Sequence, residues 1–215
     1  MKIALGFTLI EMALVLIIMG LLMGSLLSPL PKQIEQKRIN ITQQRLEEIK
    51  EALLGFAVLH NRLPCPALDE NGLESTTCNN EGYLPWKFLG VGRYDAWGNP
   101  FRYRVDIEYT VPLVSTDPLA PIPPNTSSGL VVQDTHPTTP IELVAPESET
   151  TASRVVAIIF SYGKNRQANA ENSGVVDNIY AQDVYVKNTF DDLLIWLPKS
   201  ILINRLVVAK KWPPP

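Results

Sequence analysis

The feature that most constrains this chain is an apolar run near its N-terminus. Residues 7–27 read FTLIEMALVLIIMGLLMGSLL, apolar apart from Glu11 and a few small polar residues. About 21 residues at a rise of ~1.5 Å form a helix of roughly 31 Å, the thickness of a bilayer's hydrocarbon core. A cleaved secretory signal has a shorter apolar stretch and ends in a small-x-small site, which the following SLLSPLP does not offer. The run therefore predicts a transmembrane helix.

Glu11 is the only charged residue within this run. A carboxylate deep in lipid costs about 2.5 kcal/mol or more, and such carboxylates usually have a partner. Either Glu11 lies near the cytoplasmic interface and reaches water, or it pairs with a cation. A plain signal anchor explains the rest of the run but not this residue.

The residues around Glu11 carry a resemblance to a known family. Gly6-Phe7-Thr8-Leu9-Ile10-Glu11 follows a short leader with one positive residue, Lys2, and it resembles the GFTLIE signature of type IV prepilins and type II secretion pseudopilins. The resemblance implies that prepilin peptidase cuts between Gly6 and Phe7 and that the new amine of Phe7 is N-methylated. It also implies that Glu11 pairs with the amine of a neighbouring pilin or pseudopilin subunit during assembly.

The charges beyond the apolar run point the other way. Lys32, Lys37 and Arg38 follow it, and an excess of positive residues usually marks the cytoplasmic side. The leader motif overrules this count. We therefore expect a single-pass protein of the bacterial inner membrane, with a periplasmic globular domain, that is extracted into a pilus or pseudopilus.

Beyond the run the sequence becomes amphipathic. Pro29 and Pro31 separate it from a stripe of apolar residues at three- and four-residue steps, formed by Ile34, Ile41, Leu46, Ile49, Leu53, Phe56 and His60. The fold class predicted is α+β: one long N-terminal helix, part membrane anchor and part spine, packed on a small antiparallel β-sheet domain in the pilin-like lollipop layout. The expected segments are a leader at 1–6, a transmembrane and assembly helix at 7–31, an amphipathic spine helix at 32–62, and a globular domain at 63–215.

Short strand-like runs follow in the globular part. Residues 101–109 alternate apolar and polar side chains, and residues 155–162 are continuously apolar, which predicts a central strand. Pro198 suits the first turn of a last helix with Ile201, Leu202, Leu206 and Ala209 inward. Weaker strands are expected at 130–133, 141–145, 184–186 and 193–197. The proline-rich stretch near 111–153 is expected to form surface loops with short edge strands or a disordered insertion.

The chain has two cysteines, Cys65 and Cys78. In an oxidising compartment they are compatible with one disulfide that closes a loop of about 14 residues, worth about 3 kcal/mol in the chain-entropy model. The alternative is two free buried thiols, as in a cytosolic domain. Because we expect the domain to be exported, we predict that Cys65 and Cys78 form this disulfide.

Two further segments resemble the type II secretion branch. Residues 95–101, DAWGNPF, resemble the DPWGNPY turn of the major pseudopilin, and residues 160–165 followed by Asp177 loosely resemble its calcium-binding loop. Lys164, Asn165 and Arg166 stand where that loop carries acidic and glycine residues, and calcium requires six to eight oxygen ligands. No cofactor is therefore predicted, and calcium enters only through this loose resemblance.

The sequence offers little for catalysis. His60 and His136 are the only histidines, and no GxSxG, HExxH or P-loop motif occurs. A net charge of -3 argues against nucleic acid as the main partner. We predict a structural, non-enzymatic subunit of a type II secretion pseudopilus or type IV pilus, with prepilin peptidase, other subunits and the inner membrane as partners. The alternatives are a tip-located binding module for DNA or surfaces and a membrane-tethered periplasmic enzyme.

Overall fold

The computed structural model describes residues 8–27, 30–113, 130–136, 138–144, 155–173, 178–186 and 189–212. Side chains at 22–27, 30, 171 and 173 are outside this description. The chain divides into two compact units, one ending at Asn40 and one beginning at Ile41.

Two helices are present where one continuous helix was expected. Helix α1 runs over Leu9–Leu27 and helix α2 over Leu30–His60. Pro31 lies in the first turn of α2, where its missing N–H removes no intrahelical hydrogen bond. The prediction of a single long N-terminal helix is therefore wrong, because Pro31 favours the start of a new helix.

The structure also corrects the predicted location. Over the residues that the structure describes, no helix combines the length and the apolar content needed to cross a membrane. Helix α1 begins at Leu9, two residues later than the apolar run, so the described helix contains less of that run than the sequence suggested. The predicted transmembrane helix and single-pass inner-membrane location are contradicted by this finding.

The second half of α2 belongs to the core of the larger unit. Its buried side chains recur every three or four residues, which is the spacing of one helix face, and they are Leu46, Ile49, Leu53, Leu54, Phe56 and Ala57. The central part of the predicted stripe is confirmed, whereas Ile34 and His60 are exposed. The helix ends where Asn61 adopts a φ of 54° and donates its N–H to the Ala57 carbonyl at 2.8 Å.

The larger unit contains two β-sheets. The remaining elements follow in chain order as β1 Glu81–Tyr83, α3 Trp86–Leu89, β2 Arg102–Val105, β3 Val131–Gln133, β4 Glu142–Val144, β5 Val155–Ser161, β6 Ile179–Ala181, β7 Leu193–Pro198 and α4 Lys199–Val208. The four-stranded sheet has the order β1-β2-β5-β7 and is antiparallel throughout. The three-stranded sheet has the order β4-β3-β6, and its β3 and β6 are parallel.

A single antiparallel sheet was expected, so this part of the fold prediction is also corrected. Parallel strands need a long crossover, and the chain between β3 and β6 passes through β4 and β5. A core cluster links the two sheets, because it combines side chains of both: Val132, Val144 and Tyr180 from the three-stranded sheet with Val155, Ile158, Phe160 and Leu194 from the four-stranded sheet.

Individual strands match the sequence unequally. All seven residues of β5 are buried, as expected of a central strand. The run 101–109 forms a strand only to Val105, because the Asp106 carboxylate then accepts the Glu108 N–H and starts a 3-10 turn at Ile107. Residues 184–186 make only an isolated bridge, Val186 to Phe190. Of the proline-rich stretch, residues 114–129, 137 and 145–154 lie outside the described residues, and the short strands β3 and β4 lie within its described parts.

The last helix begins directly after a strand. Pro198 is the final residue of β7 and caps α4 in an extended conformation, with φ −70° and ψ 145°. Leu202 and Leu206 are buried as predicted, but Ile201 is 47% exposed. A proline fits this junction because its fixed φ suits both a strand end and the residue that precedes a helix.

Candidate functional site

The start of α1 is held by a reciprocal pair of hydrogen bonds between Thr8 and Glu11. The Glu11 N–H donates to Thr8 Oγ1 at 3.3 Å, and the Thr8 N–H donates to Glu11 Oε2 at 3.3 Å. The Thr8 hydroxyl also donates to Glu11 Oε2, at 3.4 Å. This is a capping box, in which the residue before the helix and the third helical residue satisfy each other's N–H groups. The Thr-x-x-Glu pattern before an apolar run could have identified it from sequence.

The predicted processing residues flank this cap. Gly6 and Phe7, assigned to cleavage and N-methylation, lie outside the described residues. Glu11, assigned to assembly, is in the first turn of α1. The capping box adds a second role for the same carboxylate, which stabilises the helix start as well as carrying the only charge of α1.

Helix α1 presents apolar side chains in all directions. Each residue from 8 to 21 is exposed, including Leu9 at 92% and Leu21 at 72%. A helix that is apolar on every side is normally covered by other elements, and a contiguous apolar surface of this kind marks an interaction site. Glu11 is therefore the single carboxylate in the first turn of a helix whose apolar side chains are exposed over residues 8–21.

The cysteine pair is a disulfide. Cys65 and Cys78 are bonded with their Cα atoms 5.2 Å apart, which resolves the alternative of two free thiols. Within the closed loop, the Glu74 carboxylate accepts the Cys65 N–H at 2.7 Å and Arg62 Nη2 at 3.0 Å. Burial by itself raises the pKa of Glu74, but the hydrogen bonds from Arg62 and Cys65 outweigh it and lower that pKa.

The DAWGNPF segment forms the turn that its resemblance implied. Asp95 Oδ1 accepts the N–H groups of Trp97 and Asn99, each at 2.8 Å. Its Oδ2 accepts the Ser161 hydroxyl at 2.5 Å, which ties the turn to the end of β5. Gly98 has a φ of 86°, a conformation that glycine adopts readily. Asp95 thus has a structural role, since its two oxygens hold the turn together.

Two adjacent buried acids that sequence reasoning missed hold the loop after β5. The Asn165 N–H donates to Asp191 Oδ2 at 2.8 Å, and the Asn169 N–H donates to Asp192 Oδ2 at 2.8 Å. Asn172 Nδ2 also donates to Asp192 Oδ2, at 2.9 Å. Burial raises the pKa of Asp192 to about 6, with a further contribution from the charge of Asp191 and an opposing one from these hydrogen bonds.

This arrangement does not fit the calcium site that the family resemblance suggested. The carboxylates of Asp191 and Asp192 accept N–H groups, whereas calcium needs six to eight oxygens facing a common centre. Among the described residues no group of three or more acidic, histidine or cysteine side chains converges. Asp177, the acidic residue matched by sequence, lies outside the described residues.

Comparisons with known proteins do not identify the chain. No family model, curated protein or solved structure matches it. A function for this chain is therefore inferred from its own features, chiefly the exposed apolar surface of α1 and the capping box at its start.

Proposed function

We propose that this chain is a structural, non-enzymatic filament subunit, a pseudopilin or minor pilin of a type II secretion pseudopilus or a type IV pilus. In this proposal prepilin peptidase trims the leader between Gly6 and Phe7, and α1 then packs among the α1 helices of neighbouring subunits. The observation that carries the proposal is the uncovered apolar surface of α1 with one carboxylate in its first turn.

The exposed apolar side chains of α1 need a partner that buries them. Ten large apolar residues between Leu9 and Leu21 are exposed, and burying one such side chain contributes about 1.5–3 kcal/mol. Neighbouring copies of the same helix supply a matching apolar surface. Bundling of α1 helices in a filament therefore has a sufficient driving force.

The carboxylate of Glu11 needs a cationic partner once α1 is packed among other helices. A carboxylate enclosed in such a bundle is costly unless a cation pairs with it. Trimming between Gly6 and Phe7 creates an amine close to the level of Glu11, since only Thr8, Leu9 and Ile10 separate the two residues. The amine of a neighbouring subunit can then pair with Glu11, so that subunits are accepted only in the register that brings the charges together.

The capping box allows the two roles of Glu11 to be separated by experiment. Glutamine also serves at the third position of a capping box, so Glu11→Gln keeps the cap but removes the charge. Thr8→Ala removes the cap but keeps the charge. Glu11→Ala removes both.

We expect Glu11→Gln and Glu11→Ala both to be excluded from filaments, and Thr8→Ala to be incorporated with a modest loss. The measurement is the fraction of each variant in sheared filaments when it is expressed with the wild-type subunit in a host that has active prepilin peptidase. Intact mass serves as the control: every variant should lack residues 1–6 and carry a methylated Phe7. Normal incorporation of Glu11→Gln would reduce Glu11 to a helix cap, and an untrimmed wild-type chain would refute the proposal.

A further inference from the structure

A cleft on the larger unit is lined by three tyrosines and two arginines. Its volume is about 500 Å³, and its main lining residues are Tyr83, Tyr94, Asn99, Arg102, Tyr162 and Arg166. These residues come from β1, the turn before β2, β2 itself and the loop after β5. We name it the tyrosine cleft. None of its lining residues belongs to helix α1.

The three rings are held in place by neighbouring side chains. The Arg102 guanidinium lies 4.6 Å from the centre of the Tyr83 ring, and the Arg93 guanidinium lies 4.6 Å from that of Tyr94. Tyr162 meets Phe160 edge-on at 5.5 Å between ring centres. Contacts of this kind orient aromatic rings. A ligand that enters the cleft therefore meets walls that are already ordered, which lowers the entropy cost of binding.

The charges of the cleft are unevenly satisfied. Arg93 is paired with Glu70 at 2.5 Å, and Arg102 is paired with Glu81 at 3.2 Å. The guanidinium of Arg166 is exposed and has no ion-pair or hydrogen-bond partner among the described side chains. The cleft is thus left with one guanidinium for which the described residues provide no anion.

The turn that carries Arg166 is ordered rather than loose. Arg166 has a φ of 63°, which is uncommon for a residue with a side chain. The Gln167 N–H donates to Asn165 Oδ1 at 2.7 Å, and the Asn165 N–H donates to Asp191 Oδ2 at 2.8 Å. These bonds on either side of Arg166 hold its backbone in the left-handed conformation. Strain of this kind that is maintained by surrounding contacts is typical of binding sites.

We propose that the tyrosine cleft binds one acidic sugar residue of a polysaccharide, of the uronic-acid type. The tyrosine rings offer an apolar face to the C–H face of the pyranose and hydroxyl groups to its edge. The planar guanidinium of Arg166 matches the carboxylate of the sugar in a two-point contact. This adds a ligand to the chain and does not depend on its assembly into filaments.

A single-stranded nucleic acid also combines stacking rings with negative charge, but the cleft suits it less. Binding along a phosphate backbone uses several cations in a row, whereas among the described residues Arg166 is the one unpaired guanidinium that lines this cleft. Glu70 also lines the cleft, and the chain has a net charge of -3. One carboxylate per sugar unit matches one free guanidinium.

The test is a calorimetric titration of the full-length protein with trigalacturonate, in buffer that contains EDTA. The matched ligand control is the methyl-esterified trisaccharide, which keeps the rings and removes the charges. A thymidine oligonucleotide serves as the nucleic-acid arm. We expect trigalacturonate to bind and the ester and the oligonucleotide to bind at least tenfold more weakly, because a charge-assisted hydrogen-bond pair contributes about one order of magnitude or more.

Variants separate the cleft from general charge effects. Arg166→Gln should weaken trigalacturonate binding at least about tenfold without changing the melting temperature. Tyr94→Ala should weaken binding as well, and Tyr94→Phe should retain most of it. Lys164→Gln removes a positive charge from the same loop at a residue that does not line the cleft, and it should bind like the wild type. Equal losses in Lys164→Gln and Arg166→Gln, the absence of trigalacturonate binding, or tighter binding of the oligonucleotide would each overturn the proposal.

Discussion

Asp192 is 2% exposed, and its buried Oδ1 has no hydrogen-bond partner among the described residues. Its other oxygen, Oδ2, accepts two N–H donors from Asn169 and Asn172. Burial is the largest cause of its raised pKa, and the adjacent Asp191 adds to it. Protonation of this carboxylate is therefore more favourable in the folded chain than in the unfolded chain.

A pH dependence of stability follows from this residue. The pKa of Asp192 is about 6 when folded, against an ordinary value of 3.8. Its contribution is full below about pH 4 and is lost as the pH rises through about 6, with a total on the order of 2–3 kcal/mol. We expect the free energy of unfolding to fall over this range in the wild type, and the fall to shrink in Asp192→Asn, as measured by urea denaturation at a series of pH values.

The control is Asp69→Asn, which removes an exposed carboxylate; because Asp192 is intact in this variant, the fall in stability between about pH 4 and 6 should persist. Glu74, whose pKa is lowered, contributes in the opposite direction but only as the pH falls below about 4.5. Neither an excess of calcium nor EDTA should alter the profile. A melting temperature that rises with calcium in the wild type but not in Asp192→Asn would show that Asp192 takes part in a calcium site.

At the level of elements, one carboxylate connects the two sheets. Glu81 on β1 accepts the phenol of Tyr180, on β6, at 2.6 Å, and it also accepts Arg102 Nη2, on β2, at 3.2 Å. Tyr180 is completely buried, and burial together with Glu81 strongly raises the pKa of its phenol, which therefore stays protonated as a donor. The four-stranded and three-stranded sheets thus share a partly buried hydrogen bond in addition to their apolar cluster.

Tyr180→Phe should test this connection. The change removes the donor and leaves Glu81 Oε2 without it, while the ring still fills its place in the core. We expect the free energy of unfolding to fall by about 1–3 kcal/mol, measured by urea denaturation with an unchanged m-value. Tyr94→Phe, at a tyrosine that is 39% exposed, is the matched control and should have an effect within about 0.5 kcal/mol. Equal losses in the two variants would contradict the role of Tyr180.

The sheets also show where sequence patterns succeed for elements. Strand β5 was identifiable because its first six residues, 155–160, are all apolar, and Ser161 at its end is the one polar residue of the strand. Strands β1 and β6 have three residues each, too few for a periodicity to be recognised. The alternation at 101–109 was misleading beyond Val105, because the Asp106 carboxylate accepts the Glu108 N–H and starts a 3-10 turn. Within the strand Arg104 departs from the pattern, since it is buried and its Nη2 donates to Asn178.

For the whole molecule, the boundary between the compact units lies inside α2. Residues Leu46, Ile49, Leu53, Leu54 and Ala57 are 0–2% exposed, and each buried large apolar side chain stabilises the fold by about 1.5–3 kcal/mol. Their sum is comparable to the 5–15 kcal/mol that a domain of this size has in total. The larger unit therefore requires the second half of α2.

Two fragments test this requirement. Residues 41–215 should unfold cooperatively on heating, as followed by circular dichroism, because they contain the complete larger unit. Residues 64–215 lack the buried face of α2 and should give no cooperative transition. Comparable cooperative transitions in both fragments would show that the sheets and α4 are stable without α2.

The sequence by itself determined the features that depend on neighbours along the chain. These are the apolar run that became α1, the central part of the α2 stripe, strand β5 and the Asp95 turn, because helix and strand periods and turn residues act over a few positions. It also placed Glu11 at a helix start, although the cap with Thr8 was recognised only in the structure.

Tertiary structure alone decided the rest. The parallel pairing of β3 with β6 and the convergence of Tyr83, Tyr94, Tyr162 and Arg166 on one cleft each depend on how distant segments meet. The buried pair Asp191 and Asp192 belongs here too, since in sequence these residues resemble a solvated acidic turn. Burial and hydrogen bonding across 20 or more residues set the pKa of Asp192, and no local pattern records them because the energy resides in contacts between residues that are far apart along the chain.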